Sequence, residues 1–293
     1  MIISRIHGGL GNQLFQYAVA KSLSLKFGLP FKLDLSPMHN YGLDIHRNFD
    51  LEEFTLDLSI ASPNDLKETI PFNNNLIIKA KYYLHIMSMI TFNNICFERE
   101  PFKFQDIELK NPSVYLYGYW QSYKYFDDFR SEIFSILELK DCLDEKNLAV
   151  KSAIQNTNSV SLHIRRGDYV KNLKTSAIHG VLGADYYHNA INTLNNCIES
   201  PEYFIFSDDL QWARNHLPRD ENFNYIDLNT DGKAVHDFEL MRHCKHNIIA
   251  NSTFSWWPAY LNNYTNKKII APKRWLNQNK VFEDLLPLEW IKI

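Results

Sequence analysis

Three short stretches of this chain concentrate side chains able to hold an anion. Residues 163–169 read HIRRGDY, 207–209 read SDD, and 251–255 read NSTFS. Arg165 and Arg166 follow directly on the apolar run Val160-Ser161-Leu162-His163-Ile164. A guanidinium offers parallel N–H donors in one plane and keeps its charge, so two of them suit a phosphate. Ser252, Thr253 and Ser255 can donate hydroxyls to the same anion. Asn251 and Phe254 lie in that stretch with them. A carboxylate on the same rim could instead read a nucleoside, since guanine offers N1–H and N2–H₂ as adjacent donors. The combination reads as a nucleoside-diphosphate site. Either arginine could instead bridge to Asp168 or another nearby acid.

A fourth stretch, HGGLGNQ at 7–13, brings Gly9, Gly11, Asn12 and Gln13 to the start of a predicted helix. It is not a dinucleotide fingerprint, because the third glycine would fall at 14, which is Leu14. A glycine-rich turn before a helix can approach a diphosphate or a sugar closely, or serve packing alone. No Asp-x-Asp occurs in the chain. Protein cations rather than Mg²⁺ are therefore expected to neutralise the phosphates, with no metal and no cofactor required. No G-x-x-x-x-G-K-[ST] loop and no G-x-S-x-G elbow occurs either. His236, His243 and His246 gather around Cys244, but only some could share one helix face, and zinc is the weaker reading there.

These stretches need elements to position them. Met1 to Ile6 predicts a strand, Asn12 can cap a helix that Gly28 and Pro30 end, and FKLDL at 31–35 predicts a second strand. A strand, helix, strand unit implies a parallel pair. Residues 36–110 are irregular. SVYLYGYW at 113–120 predicts a strand, 129–139 a helix, and the polar stretch 151–159 a linker between two halves. Beyond 159, SVSLHI, YFIF, NYID, NIIA and KKIIAP are strand candidates alternating with helices. That alternation is the pattern of a doubly wound α/β domain. The first, second and fourth of these strands run into RRGD, SDD and NSTFS. In an open parallel sheet ligands bind at the carboxyl ends of the strands, so all three stretches should line one rim.

The 293 residues suit one large domain or two ordinary ones. Apolar residues make up 45%, enough for a sizeable core, and a net charge of −3 argues against a general nucleic-acid binder. Cys96, Cys142, Cys197 and Cys244 form no close pair, which fits a reducing cytosol. The start shows no signal peptide. The apolar window 75–97 is interrupted by Lys79, Lys81 and His85, so it reads as a buried or surface-docking helix rather than a span. Its basic and aromatic residues could touch a membrane face.

GGLGNQLFQYA, GYWQSYKYF, HIRRGDYV, FSDDLQWARNHL and IANSTFSWWPAYLN, taken together, resemble the bacterial α-1,2-fucosyltransferases of glycosyltransferase family 11. The blocks span residues 8 to 262 in the family's order. The resemblance implies a GT-B-type α/β fold with two Rossmann-like domains facing across a cleft. Residues 1–150 would be the acceptor-side domain and 151–293 the GDP-sugar domain. It implies inverting, metal-independent transfer of L-fucose from GDP-β-L-fucose to the 2-hydroxyl of a terminal galactose. It assigns Arg165 to the β-phosphate, with His163 and Arg166 completing the motif. Asp208 lies in the second motif, Ser252 and Thr253 near the phosphates, Asp237 at guanine, and Asn12 and Gln13 near fucose. Pro258 would stand at a helix start, where proline is tolerated. Asp168 is either a general base or a brace for an arginine. A lipid-linked O-antigen unit or a free oligosaccharide would serve as acceptor, the former placing the protein at the cytoplasmic face of the inner membrane. Oligomeric state is left open. The alternatives are another linkage or GDP-sugar, or, in a different class, a non-catalytic glycan-binding module.

Overall fold

The computed structural model describes residues 1–38, 48–70, 80, 94–109, 111–229, 233–277 and 282–293; the side chains of 168, 171 and 173–175 lie outside that description. The chain forms two compact units. One is Met1–Lys140 with Phe282–Leu286, the other Asp141–Val281 with Pro287–Ile293.

The first unit holds a parallel sheet of β1 (Ile2–Arg5), β2 (Phe31–Asp34), β3 (Ile95–Phe97) and β4 (Val114–Tyr117), in the order β2-β1-β4-β3. Helices α1 (Leu10–Phe27), α2 (Pro63–Thr69) and α3 (Arg130–Ile136) accompany it. Leu14, Phe15, Ala18 and Val19 of α1 are buried, as the spacing of apolar residues predicts. Gly28 closes the helix at φ +64, a left-handed conformation that only glycine adopts without strain. The cap at the other end is Gly9, not Asn12. The Gly9 carbonyl already accepts from the N–H of Asn12 and of Gln13, so the helix begins earlier than a side-chain cap at Asn12 would place it. Most of the apolar window 75–97 falls outside the described residues. Among those described, no helix is long and apolar enough to cross a membrane.

The second unit contains β5 (Asn158–Ile164), β6 (Pro201–Ser207), β7 (Phe223–Tyr225), β8 (His246–Ile248), β9 (Ile269–Ala271) and β10 (Ile291–Lys292). All pairings are parallel and the order is β10-β9-β8-β5-β6-β7. The helices are α4 (Glu145–Asn156), α5 (Gly167–Lys171), α6 (Leu173–His179), α7 (Ala184–Asn195), α8 (Leu210–His216), α9 (Ala234–His243) and α10 (Thr253–Leu261). Val160, Leu162 and Ile164 of β5 pack with Tyr187, Ala190, Ile191 and Leu194 of α7 in one core. The opposite face buries Ser159, Ser161 and His163, so β5 is covered on both sides, as a central parallel strand must be. Asn247 of β8 donates to the Ser161 hydroxyl at 2.7 Å, which satisfies that polar face.

Two expectations fail here. The polar stretch 151–159 is not a linker: it is the end of α4 and the start of β5. Asp144 caps α4 by accepting from Asn147 N–H at 3.0 Å, and Ile154 is buried. A surface helix with one narrow apolar contact reads as polar in sequence. Pro258 lies inside α10 rather than at its start, because Ser252, six residues earlier in the turn NST, is the cap. β10 is a two-residue edge strand with no sequence signal.

Candidate functional site

The order of the second sheet places β5 at its centre, with β6 and β7 laid down on one side and β8 to β10 on the other. The chain reverses direction across the sheet between β5 and β8, and a crevice forms at the carboxyl ends of strands at such a point. β5 delivers His163, Arg165 and Arg166 there, β8 leads into Asn251 to Ser255, and β6 delivers Asp208 and Asp209. The register sets Ile164 against Ser207 and Leu162 against Ile248, so the three stretches do share a rim.

The two arginines are held differently. Arg165 Nη1 lies 2.9 Å from Asp208 Oδ2, with each side chain about a quarter exposed, and its guanidinium sits 5.7 Å from the centre of the Tyr169 ring. Arg166 donates from Nε to Asp209 Oδ2 at 3.1 Å and lies 4.3 Å over the Trp212 ring. Its backbone N–H donates to Asp208 Oδ1 at 2.8 Å. Arg166 is therefore fixed by a pair and a ring face together. Both arginines do bridge acids, and the acids are Asp208 and Asp209. A carboxylate on one side of Arg165 orients a fork that carries donors on more than one edge. Gly167 keeps room for it: a Cβ there would stand 2.6 Å from Asp208 Oδ2.

Around the start of α10, Ser252 caps the helix, its hydroxyl accepting from Phe254 N–H at 3.3 Å. Ser255 is buried and donates to the Ser252 carbonyl. Thr253 is half-buried at the first helical position. Asn251 is a brace: its amide donates to the carbonyls of His179 and Trp275, and Tyr169 O–H donates to its carbonyl. Two buried atoms at this rim, His163 Nδ1 and Asn251 Oδ1, have no hydrogen-bond partner. Burial holds the His163 pKa down at about 4, with the Asp208 charge opposing and the Arg165 charge assisting. The ring is neutral near pH 7 and lies 5.5 Å from the Phe254 ring. An arginine fork, the N-terminus of a nine-residue helix and a neutral imidazole are groups whose chemistry suits a phosphate.

Asp237, in the first turn of α9, is raised to about 7 by burial, against the pull of a hydrogen bond from Asn229 Nδ2 at 2.7 Å. Asn147 and Asn229 exchange amide hydrogen bonds at 2.9 Å and hold that donor in place. The three histidines near Cys244 go separate ways. His236 faces Asn147, His243 Nδ1 faces the Glu239 carbonyl, and His246 accepts from Lys268 N–H. Among the described residues no group of three His, Cys, Asp or Glu is placed to hold a metal ion. Asp168 lies in α5, and its side chain is outside the described ones.

In the first unit, Gly9 caps α1, Gly11 is buried in its first turn, and Asn12 accepts from Gln121 Nε2 at 2.7 Å. Gln13 is fully buried with both amide ends used: it donates to the Gly8 and Asn48 carbonyls and accepts from Asp50 N–H. It organises the turn instead of presenting its amide. The sequence reading overlooked Asp209 and Trp212, which lock Arg166, and Glu98, a buried acid at the end of β3. Asp209 and Trp212 stood in a stretch already singled out. Glu98 carried no local signal at all.

A family model described as "Glycosyl transferase family 11" matches residues 1–293. The chain belongs to glycosyl transferase family 11. Within this family's reach, the chain is 35% identical over 301 residues to an alpha-1,2-colitosyltransferase of Escherichia coli, covering 100% of this chain and 99% of that one. It is 31% identical to the O-antigen biosynthesis glycosyltransferase WbnK of Escherichia coli, over 99% of both. A galactoside 2-alpha-L-fucosyltransferase, Sec1 of Mus musculus, is 25% identical over 89% of this chain and 64% of that one. Among solved structures, the NodZ alpha-1,6-fucosyltransferase co-crystallised with GDP superposes with a TM-score of 0.52 at 14% identity, over 88% of this chain and 90% of that one. NodZ from Bradyrhizobium gives 0.51 at 13% identity, over 88% and 91%. The family 11 chain thus has the GT-B-type α/β architecture, with two Rossmann-like units, and is a glycosyltransferase.

Proposed function

We propose that this family 11 enzyme transfers L-fucose from GDP-β-L-fucose to the 2-hydroxyl of a terminal galactose, with inversion and without a metal. The observation that carries the reading is the Arg165–Asp208 pair at the switch point between β5 and β8. It stands beside the α10 N-terminus and two unpartnered buried polar atoms. NodZ, which shares the fold, was crystallised with GDP. Asp237 is the acid that would accept from guanine N1–H and N2–H₂.

In this reading the galactose 2-hydroxyl attacks fucose C1 from the face opposite GDP. The C1–O bond to the β-phosphate breaks and its electron pair stays on the phosphate. Arg165 and the N–H groups at the start of α10 stabilise that growing charge. One well-placed donor of this kind contributes about 10²–10³ in kcat. The proton leaves the attacking hydroxyl to a base or to water, and Asp168 is the candidate base, with orienting an arginine as its other role. Asn12 lies at the glycine-rich turn expected near fucose.

A second reading rests on the family relative that is 35% identical along the whole chain, an alpha-1,2-colitosyltransferase. It keeps the mechanism and the linkage and changes the transferred sugar. The WbnK relationship favours a growing O-antigen or surface-polysaccharide unit as the acceptor of either sugar. The deciding experiment offers GDP-fucose and a colitosyl donor in parallel to galactose-terminated acceptors, with product linkage read by NMR. A 1,2-linked fucosyl product formed in EDTA is expected. Transfer of colitose alone would overturn the fucosyl assignment, and strict dependence on added Mn²⁺ would overturn the metal-free one.

A further inference from the structure

The carboxyl-end rim of the first sheet carries a second built arrangement that the diphosphate chemistry does not use. Its foundation is Glu98, 5% exposed, immediately after β3. Its two oxygens accept from Tyr119 N–H at 2.8 Å and Trp120 N–H at 3.0 Å, just after the neighbouring strand β4. Trp120 is fully buried and held at φ +58, a conformation that costs a residue with a side chain about 1 kcal/mol or more. Gly118 leaves the carboxylate its space, since a Cβ there would meet Glu98 at 2.4 Å. A buried acid, a left-handed tryptophan and a crowded glycine thus fix one turn, residues 118–121.

That turn presents Tyr119, 40% exposed, with its ring centre 4.4 Å from that of His7. His7 follows β1 and is partly exposed. Its protonation is set by Gln16. The Gln16 Oε1 accepts from His7 N–H at 2.9 Å, so Gln16 Nε2 faces His7 Nδ1 at 2.9 Å and donates to it. Nδ1 is the acceptor, and a neutral ring then carries its proton on Nε2. Burial, helped by the Arg5 charge and opposed by a hydrogen bond to the Arg5 carbonyl, lowers the His7 pKa to about 3, so the ring stays neutral. Charges beside the pair are engaged elsewhere: Glu98 on backbone N–H groups, Arg5 over the Tyr117 ring at 4.6 Å. Gln121 from the same turn donates to Asn12 Oδ1 at 2.7 Å.

The rim therefore offers an exposed aromatic face backed by a neutral imidazole, with amides alongside. That suits an uncharged ligand with one apolar face and hydroxyls at its edge, which is a hexose ring. We propose that His7 and Tyr119 form a sugar-binding subsite of the first unit, with Tyr119 stacking on the ring, the His7 imidazole backing the tyrosine, and Glu98 positioning the turn. The subsite rests on the glycosyltransferase reading for its ligand class and takes the acceptor galactose.

The test uses the full chain and methyl β-D-galactopyranoside as probe. Saturation-transfer NMR measures probe binding, and titration calorimetry measures GDP binding separately. The wild type and Tyr119→Phe should show saturation transfer. Tyr119→Ala and His7→Ala should lose it by about fivefold or more, and their KM for a galactoside acceptor should rise about tenfold with kcat little changed. GDP affinity should stay within about twofold, which reports an intact fold. If Tyr119→Ala loses GDP binding, Tyr119→Leu, which keeps bulk against His7, carries the same expectation. Full saturation transfer in the folded variants, or none in the wild type, would overturn the subsite. A wild type that binds the probe but does not use GDP-fucose would overturn the fucosyl assignment and leave the subsite standing.

Discussion

At the scale of single residues, the site is decided by who holds which arginine. Arg166 is spent on Asp209 and on the face of Trp212, so its role is structural support of the rim. Arg165 shares Asp208 with the Arg166 backbone N–H and remains about a quarter exposed. Arg165→Ala should lower kcat about 10²–10³-fold with the melting temperature little changed, and GDP should no longer protect the protein from heat. Turnover close to wild type would remove Arg165 from the chemistry. Asp237 supplies a pH test. Burial raises its carboxyl to about 7, above the ordinary carboxylate range. The ligand-free fold thus prefers the protonated acid, and that contribution to stability is lost as pH rises through about 7. Guanine needs the opposite state, since two N–H donors require two accepting oxygens. GDP affinity should therefore fall as pH drops below about 7, and Asp237→Asn should bind GDP weakly at every pH. Calorimetry across that range checks both, and a flat wild-type profile would sink the assignment.

At the scale of elements, strands bring side chains to the rim and helix starts finish it. β5 has the alternation that a sequence reader needs, and its end at Ile164 is where the arginines begin. α10 was harder to place. Its first turn, TFS, reads as a polar loop and Pro258 as a helix start, yet Ser252 caps the helix and Pro258 falls inside. Ser252→Ala should destabilise the second unit by about 1 kcal/mol, measured by urea unfolding. It should also weaken GDP binding, because the same N–H groups would serve the phosphate. Lost stability with unchanged GDP affinity would separate the cap from the site. α4 shows the reverse difficulty: a helix mostly in solvent has too few apolar positions to display its period, and it reads as a linker.

For the whole molecule, the chain does not divide at a single point. Residues 282–286 return to the first unit, after which β10 completes the edge of the second sheet. Asp284 secures the return, accepting from Phe104 N–H at 2.8 Å and pairing with Lys124 at 2.5 Å. Asp284→Ala should cost the first unit about 1.5–3 kcal/mol, because the hydrogen bonds lost involve a charged group. Hydrogen exchange at the Phe104 amide is the readout, and unchanged protection there would show that Asp284 does not tie the segment down.

By itself the sequence determined the alternation of strands and helices, the glycine-ended first helix, the family, and the arginines and hydroxyls of the proposed anion site. Those properties are local: they follow from periodicity, from turn chemistry and from runs of neighbouring residues. The tertiary structure alone decided which acid holds which arginine, that Gln13 is sealed inside while Tyr119 stands exposed, and that Glu98 underlies the turn presenting it. The arginine pairs and the Glu98 contacts join residues that follow different strands, separated by 20 or more positions in sequence. Such partners become neighbours only when parallel strands pair in register, and no window along the chain contains both.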